Sequence, residues 1–87
     1  MRVVVADDQT AVREGLVTLL STMPDIEVVG SAVDGEQALA PVARSIPDIV
    51  LMDLRMPRVD GVEATRRIRA AHPGTQIVML TTYADDM

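Results

Sequence analysis

Three aspartates carry the chemistry this sequence offers, the doublet Asp7-Asp8 and the single Asp53. Each follows a β-branched apolar run, Val3–Ala6 before the doublet and Asp48–Met52 before Asp53. A carboxylate at the end of a buried run costs several kcal/mol, on the order of the whole stability of a small domain, unless it is paired or coordinated. Carboxylates gathered at one place repel, raise one another's pKa values and favour a cation between them. An all-oxygen site with few protein ligands and room for water suits Mg²⁺. Beside such an ion a carboxylate can act as a nucleophile towards a phosphoryl group, because the metal offsets charge on the transferring oxygens. The plainer reading has Asp7 or Asp8 capping a helix and Asp53 opening a loop. It accounts for one strand-end aspartate better than for three. Asp8 and Asp53 are far apart in the chain, so no EF-hand-type loop can hold them.

The elements that must bring these residues together follow from the hydrophobic pattern. Short β-branched runs fall at Val3–Ala6, Ile26–Ser31, Asp48–Met52 and Gln76–Leu80. Between the first two, Val12, Gly15, Leu16, Leu19 and Leu20 lie on one face of a helix, which Met23-Pro24-Asp25 ends. Asp34-Gly-Glu-Gln37 predicts an N-cap for a second helix through about Arg44. Pro41 lies inside it and should kink or shorten it. Asp60-Gly-Val-Glu63 predicts a third helix carried by Ala64, Ile68 and Ala71, with His72-Pro-Gly74 ending it.

The order is βαβαβαβ. Strands apolar on both faces, alternating with helices, imply a doubly wound parallel sheet. Ligands bind such sheets beyond the carboxyl ends of the strands. Asp53 ends the third strand there, and Asp7 and Asp8 end the first.

Composition narrows the function classes. The chain has 87 residues, 48% hydrophobic and 24% charged, enough for one domain with one modest core. Its only aromatic residue is Tyr83, so the core is aliphatic. The net charge of −5 argues against non-specific nucleic-acid binding. Without cysteine there are no disulfides or thiolate metal sites. No apolar run reaches membrane-span length and no signal-peptide pattern opens the chain, so a cytoplasmic protein is the default. All eight basic residues are arginine.

The segments "VVVADDQTAVREGL", "VVGSAVDGEQAL", "VLMDLRMPRVDGVEATRRIR" and "IVMLTTYADD" together resemble the receiver domain of bacterial two-component response regulators. The resemblance is to the subgroup whose receivers precede a LuxR-type helix–turn–helix output domain. It implies a flavodoxin-like α/β sheet with strand order 2-1-3-4 in a single domain over residues 1–87. It also implies phosphoryl transfer from a sensor histidine kinase to Asp53, without dedicated turnover of its own. Mg²⁺ would be held by Asp8, Asp53 and the backbone carbonyl of Arg55, with Asp7 acting through water. Thr81, or less directly Thr82, would hydrogen-bond the phosphoryl oxygens. Met56-Pro57 and Gly61 fit the loop after the phosphoacceptor.

The departures from the family's pattern are also informative. The family's phosphoryl-pairing lysine has no counterpart, since the chain has no lysine. A fifth strand and the last two helices are absent, and Tyr83 comes too early to be the family's switch aromatic. The chain is therefore expected to be a C-terminally truncated receiver, with β4 an exposed apolar edge. A homodimer or swapped dimer would cover that surface. DNA would be reached only through an output domain outside this chain, and regulation of transcription would belong to the parent protein.

Two other functions are set against this one. An inactive receiver fragment would serve only as an interaction module, which the missing lysine and fifth strand favour. A Mg²⁺-dependent phosphatase would want an acid where Arg55 stands. The run Thr65-Arg-Arg-Ile-Arg69 is expected to be a solvated helix face, and His72 to sit at a helix C-terminus. The six methionines fill gaps in an aliphatic core.

Overall fold

A computed structural model of the chain describes residues 1–53 and 61–80. The four β-branched runs form β1 (Arg2–Ala6), β2 (Glu27–Ala32), β3 (Ile49–Asp53) and β4 (Gln76–Leu80). They make one parallel sheet in the order β2-β1-β3-β4, as the resemblance implies. Helices α1 (Thr10–Ser21), α2 (Gly35–Ser45) and α3 (Gly61–Ala71) connect consecutive strands. The path steps from β1 outward to β2, then back across the sheet to β3 and β4. Right-handed crossovers therefore place α1 on one face and α2 and α3 on the other.

The main core lies under α2 and α3. Val4 and Ala6 of β1 share it with Val50 and Met52 of β3, Ala38 and Val42 of α2, and Ala64 and Ile68 of α3. On the other face α1 covers less than its sequence pattern predicts. No residue of α1 is fully buried, and Leu19 is 55% exposed. The half-buried positions are Val12, Arg13, Leu16, Val17 and Leu20, so the helix is rotated from the predicted face and turns Gly15 and Leu19 outward. It packs only over β1 and β2, which leaves its flank without a neighbour among the described residues. On β4, Val78 and Met79 are exposed, as expected for an uncovered edge strand.

Asp34 caps α2 as the sequence predicts, its Oδ1 accepting the Gln37 N–H at 2.7 Å. Pro41 does not shorten α2, which continues to Ser45, and the ring is buried. The pairing of β1 with β2 shifts register between Val3 and Val4, passing over Val29 and setting Val4 opposite Gly30. A Cβ added at Gly30 would lie 2.8 Å from the Cβ of Pro41. The helix thus approaches the strand at a point where only glycine leaves room.

The end of α2 stores strain. Ile46 has φ 45° and ψ 68°, and its N–H closes the helix on the Val42 carbonyl at 2.8 Å. A β-branched residue is disfavoured in the left-handed region, and Ile46, 61% exposed, regains little by burial. Ile46→Gly is expected to raise stability by about 0.5–1 kcal/mol after allowing for the entropy of glycine in the unfolded chain. An upward shift of the urea midpoint checks this, and a downward shift would contradict it.

The arginines of α3 lie on a solvated face, as expected. Arg66 donates to both carboxylate oxygens of Glu63, at 3.0 and 2.6 Å, and Arg67 Nε adds a third bond at 2.8 Å. These bonds hold the Glu63 carboxyl down at about 2, against an ordinary 4.5. Its stabilising contribution is therefore complete above about 4.5 and is lost as pH falls towards 2. Solvent screening keeps that contribution small. A carbon-13 titration of the carboxyl should find Glu63 still ionised at about pH 3; a midpoint near the ordinary value would contradict the arrangement. His72 follows the last residue of α3, where its N–H bonds the Ile68 carbonyl at 2.7 Å.

Candidate phosphoacceptor and metal site

Strand register builds the site. β1 and β3 pair in parallel with Ala6 opposite Met52, so the next residues of the two strands, Asp7 and Asp53, emerge side by side at the carboxyl edge. Asp8 adds a third carboxylate from the turn after β1. One oxygen from each of the three lies within 4.8 Å of the others. Asp7 and Asp53 are each only 1% exposed, as deeply buried as the valines behind them, whereas Asp8 faces solvent.

The plainer reading of the doublet does not hold. The N-cap of α1 is Gln9, in extended conformation, and no side chain caps the helix. Instead, Asp7 Oδ1 accepts the N–H of Gln9 at 2.8 Å, a turn two residues long. The Asp7 N–H continues the sheet to the Ala32 carbonyl at 3.0 Å, and its carbonyl accepts from Arg13 Nη1 at 2.9 Å. Among the described residues Asp7 Oδ2 is left buried with no hydrogen-bond partner.

A buried acceptor without a partner costs about 1–3 kcal/mol, more when charged. Such an orphan oxygen, on a carboxylate clustered with two others, is what a hydrated cation would satisfy. The donor set is all oxygen and suits a hard ion such as Mg²⁺ rather than a soft metal. The residues present therefore fit the ion that the sequence implies.

Of the other predicted site residues, Arg55, Met56, Pro57, Thr81 and Thr82 lie outside the described residues. Gly61 opens α3 and is buried, and Met52 is buried beneath the site. The sequence reading missed Arg13, whose partner is a main-chain carbonyl and leaves no mark in the pattern. It also missed Thr75, buried just before β4, whose hydroxyl donates to the Pro47 carbonyl at 2.8 Å and ties the loop entering β3 to that entering β4.

This sheet and this acidic edge occur together in a known family. The response regulator receiver domain family matches residues 3–87. The chain belongs to the response regulator receiver domains. The uncharacterized transcriptional regulatory protein YhcZ of Bacillus subtilis is 46% identical over 85 residues, covering 98% of this receiver and 40% of YhcZ. A protein-glutamate methylesterase/protein-glutamine glutaminase of a Nocardioides species is 47% identical over 85 residues, covering 98% of this receiver and 23% of that protein. Among solved structures, a LuxR-family two-component response regulator from Aurantimonas superposes with a TM-score of 0.87 at 38% identity, over 94% of this receiver and 59% of that chain.

The receiver thus spans less than half the length of these curated relatives. Their outputs differ, one a transcriptional regulator and one an esterase, so the receiver alone does not fix the output. No helix among the described residues is long and apolar enough to cross a membrane.

Proposed function

We propose that this receiver accepts a phosphoryl group on Asp53 from a histidine kinase, in a cytoplasmic parent protein that regulates transcription. The observation that carries the reading is the acidic trio itself, two members buried, with Asp7 Oδ2 lacking a hydrogen-bond partner among the described residues. Asp8 and Asp53 would hold Mg²⁺ directly, together with the Arg55 carbonyl, and the orphan oxygen of Asp7 would accept from a metal-bound water. When bound, the ion supplies charge neutralisation for the nucleophile and for the transferring oxygens.

The chain's own contribution is the nucleophile and its placement. An Asp53 carboxylate oxygen forms the new bond to phosphorus. The bond from phosphorus to the donor's imidazole nitrogen breaks, and that nitrogen leaves with the electron pair; the proton already carried by the ring's other nitrogen makes the leaving group neutral imidazole. Burial of Asp53 at a strand end fixes its approach and limits attack by water. Transfer is a single event for each signal, consistent with a switch rather than a turnover enzyme. The LuxR-type relatives support a DNA-binding output in the parent protein. The exposed β4 supports self-association of the isolated chain as a homodimer or swapped dimer.

The test is intact-mass analysis after incubation with Mg²⁺ and a small acyl phosphate donor. A gain of one phosphoryl group that chelation prevents is expected. No gain in the full-length protein would remove the proposal.

A further inference from the structure

The Asp7-Asp8-Gln9 turn must hold two carboxylates in place although it lies between elements and has no side-chain cap behind it. Its anchors come from three directions. The Asp7 N–H bonds to β2 through Ala32, and Asp7 Oδ1 takes the Gln9 N–H within the turn. The third anchor is α1, through a single residue. The N–H of Arg13 donates to the Gln9 carbonyl at 2.9 Å, and its guanidinium Nη1 reaches back six residues to the Asp7 carbonyl at 2.9 Å. Main chain and side chain of one arginine thus close both ends of the turn. Arg13 is half-buried on α1, and its bond to Asp7 is partly shielded from water. Arginine suits this task because its charged planar group donates in a fixed direction to a neutral carbonyl.

We propose that Arg13 is a positioning residue of the acidic site, fixing the Asp7-Asp8 turn so that the carboxylates meet Asp53 in a geometry that accepts Mg²⁺. This role rests on the metal-site reading above, but its structural half stands without the ion. It also makes a prediction of sign. A guanidinium near a cation site that acted only through its charge would oppose Mg²⁺, so removing it would tighten binding. A guanidinium that holds the turn does the reverse.

The test compares Arg13→Met, which keeps the aliphatic stem, with Arg13→Lys, which keeps the charge and one donor, in the full-length protein. A hydrogen bond of ordinary net worth corresponds to a change of about two- to tenfold. Arg13→Met should weaken Mg²⁺ binding measured by calorimetry by about fivefold and speed metal-free amide exchange at Gln9 by about as much. Arg13→Lys should stay within about twofold of the parent on both. Unchanged or tighter Mg²⁺ binding in Arg13→Met, with unchanged exchange at Gln9, would overturn the proposal.

Should Arg13→Met fail to fold, the parent protein decides. A scalar coupling across the hydrogen bond from the Arg13 guanidinium to the Asp7 carbonyl supports the role, and its absence contradicts it. If the parent binds no Mg²⁺ at all, the metal reading fails on its own, and exchange at Gln9 alone judges Arg13.

Discussion

Asp8→Asn is expected to stabilise the metal-free protein while abolishing its response to Mg²⁺. Three carboxylates with oxygens inside 4.8 Å of one another repel, and two of them are too buried for water to screen well. At that separation a pair of unit charges costs roughly 1–3 kcal/mol for effective dielectric constants between bulk water and the protein surface. Asp8 is the exposed member, so relief should lie near the lower end, about 1 kcal/mol. For a domain of this size that is a rise of about 4–8 °C in Tm.

In the parent protein, saturating Mg²⁺ should raise Tm because the ion binds only the folded site. In Asp8→Asn that increment should fall to a small fraction. A variant that loses metal-free stability would contradict repulsion within the acidic trio, and one that still responds fully to Mg²⁺ would contradict Asp8 as a ligand.

Gly30→Ala should be among the most damaging changes of a single methyl group in this chain. The added Cβ would stand 2.8 Å from the Cβ of Pro41, and both atoms belong to rigid parts of the molecule. Pro41 is locked by its ring and lies mid-helix, and Gly30 is held by the pairing of β2 with β1. Neither can swing aside as a flexible side chain would. Relief requires α2 to lift from the sheet, loosening Ala38 and Val42 in the main core. Overpacking of this kind costs about 1–3 kcal/mol, a large share of the stability of a small domain.

Pro41→Gly removes that Cβ and restores a helix N–H, so the double variant should recover part of the loss. The two effects should depart from additivity by about 0.5 kcal/mol or more. Urea denaturation of the two single variants and the double variant measures the coupling, and strict additivity would contradict the contact.

Those two residues show what the sequence could and could not disclose. The hydrophobic pattern located all four strands, because each is a short apolar run rich in β-branched residues, whether the sheet buries it, as β1, or leaves it at the edge, as β4. Gly30 lies within the β2 run without any sign of its role. Pro41 reads as a helix breaker, since its propensity is local while its reason is a strand lying eleven residues earlier. The rotation of α1 was hidden for a similar cause. A stripe of apolar residues shows that a helix has a buried side, but the neighbours it meets decide which residues lie deepest, and here Arg13 and Val17 replace Gly15 and Leu19.

The acidic site was legible for the opposite reason. Its residues are side chains of unusual type at strand ends, and parallel topology brings strand ends to one edge. What supports them was not legible, because the Ala32 and Asp7 carbonyls and the Gln9 N–H are main-chain groups that every residue possesses.

In the proposed function, the carboxylate ending β3 receives the phosphoryl group. The most direct test is fragment mass spectrometry of the full-length protein after phosphorylation with Mg²⁺ present, mapping the modified residue, with Asp53→Asn treated in parallel. One phosphoryl group is expected on Asp53 and none on the variant. A phosphoryl group on any other residue, or undiminished incorporation in Asp53→Asn, would contradict it.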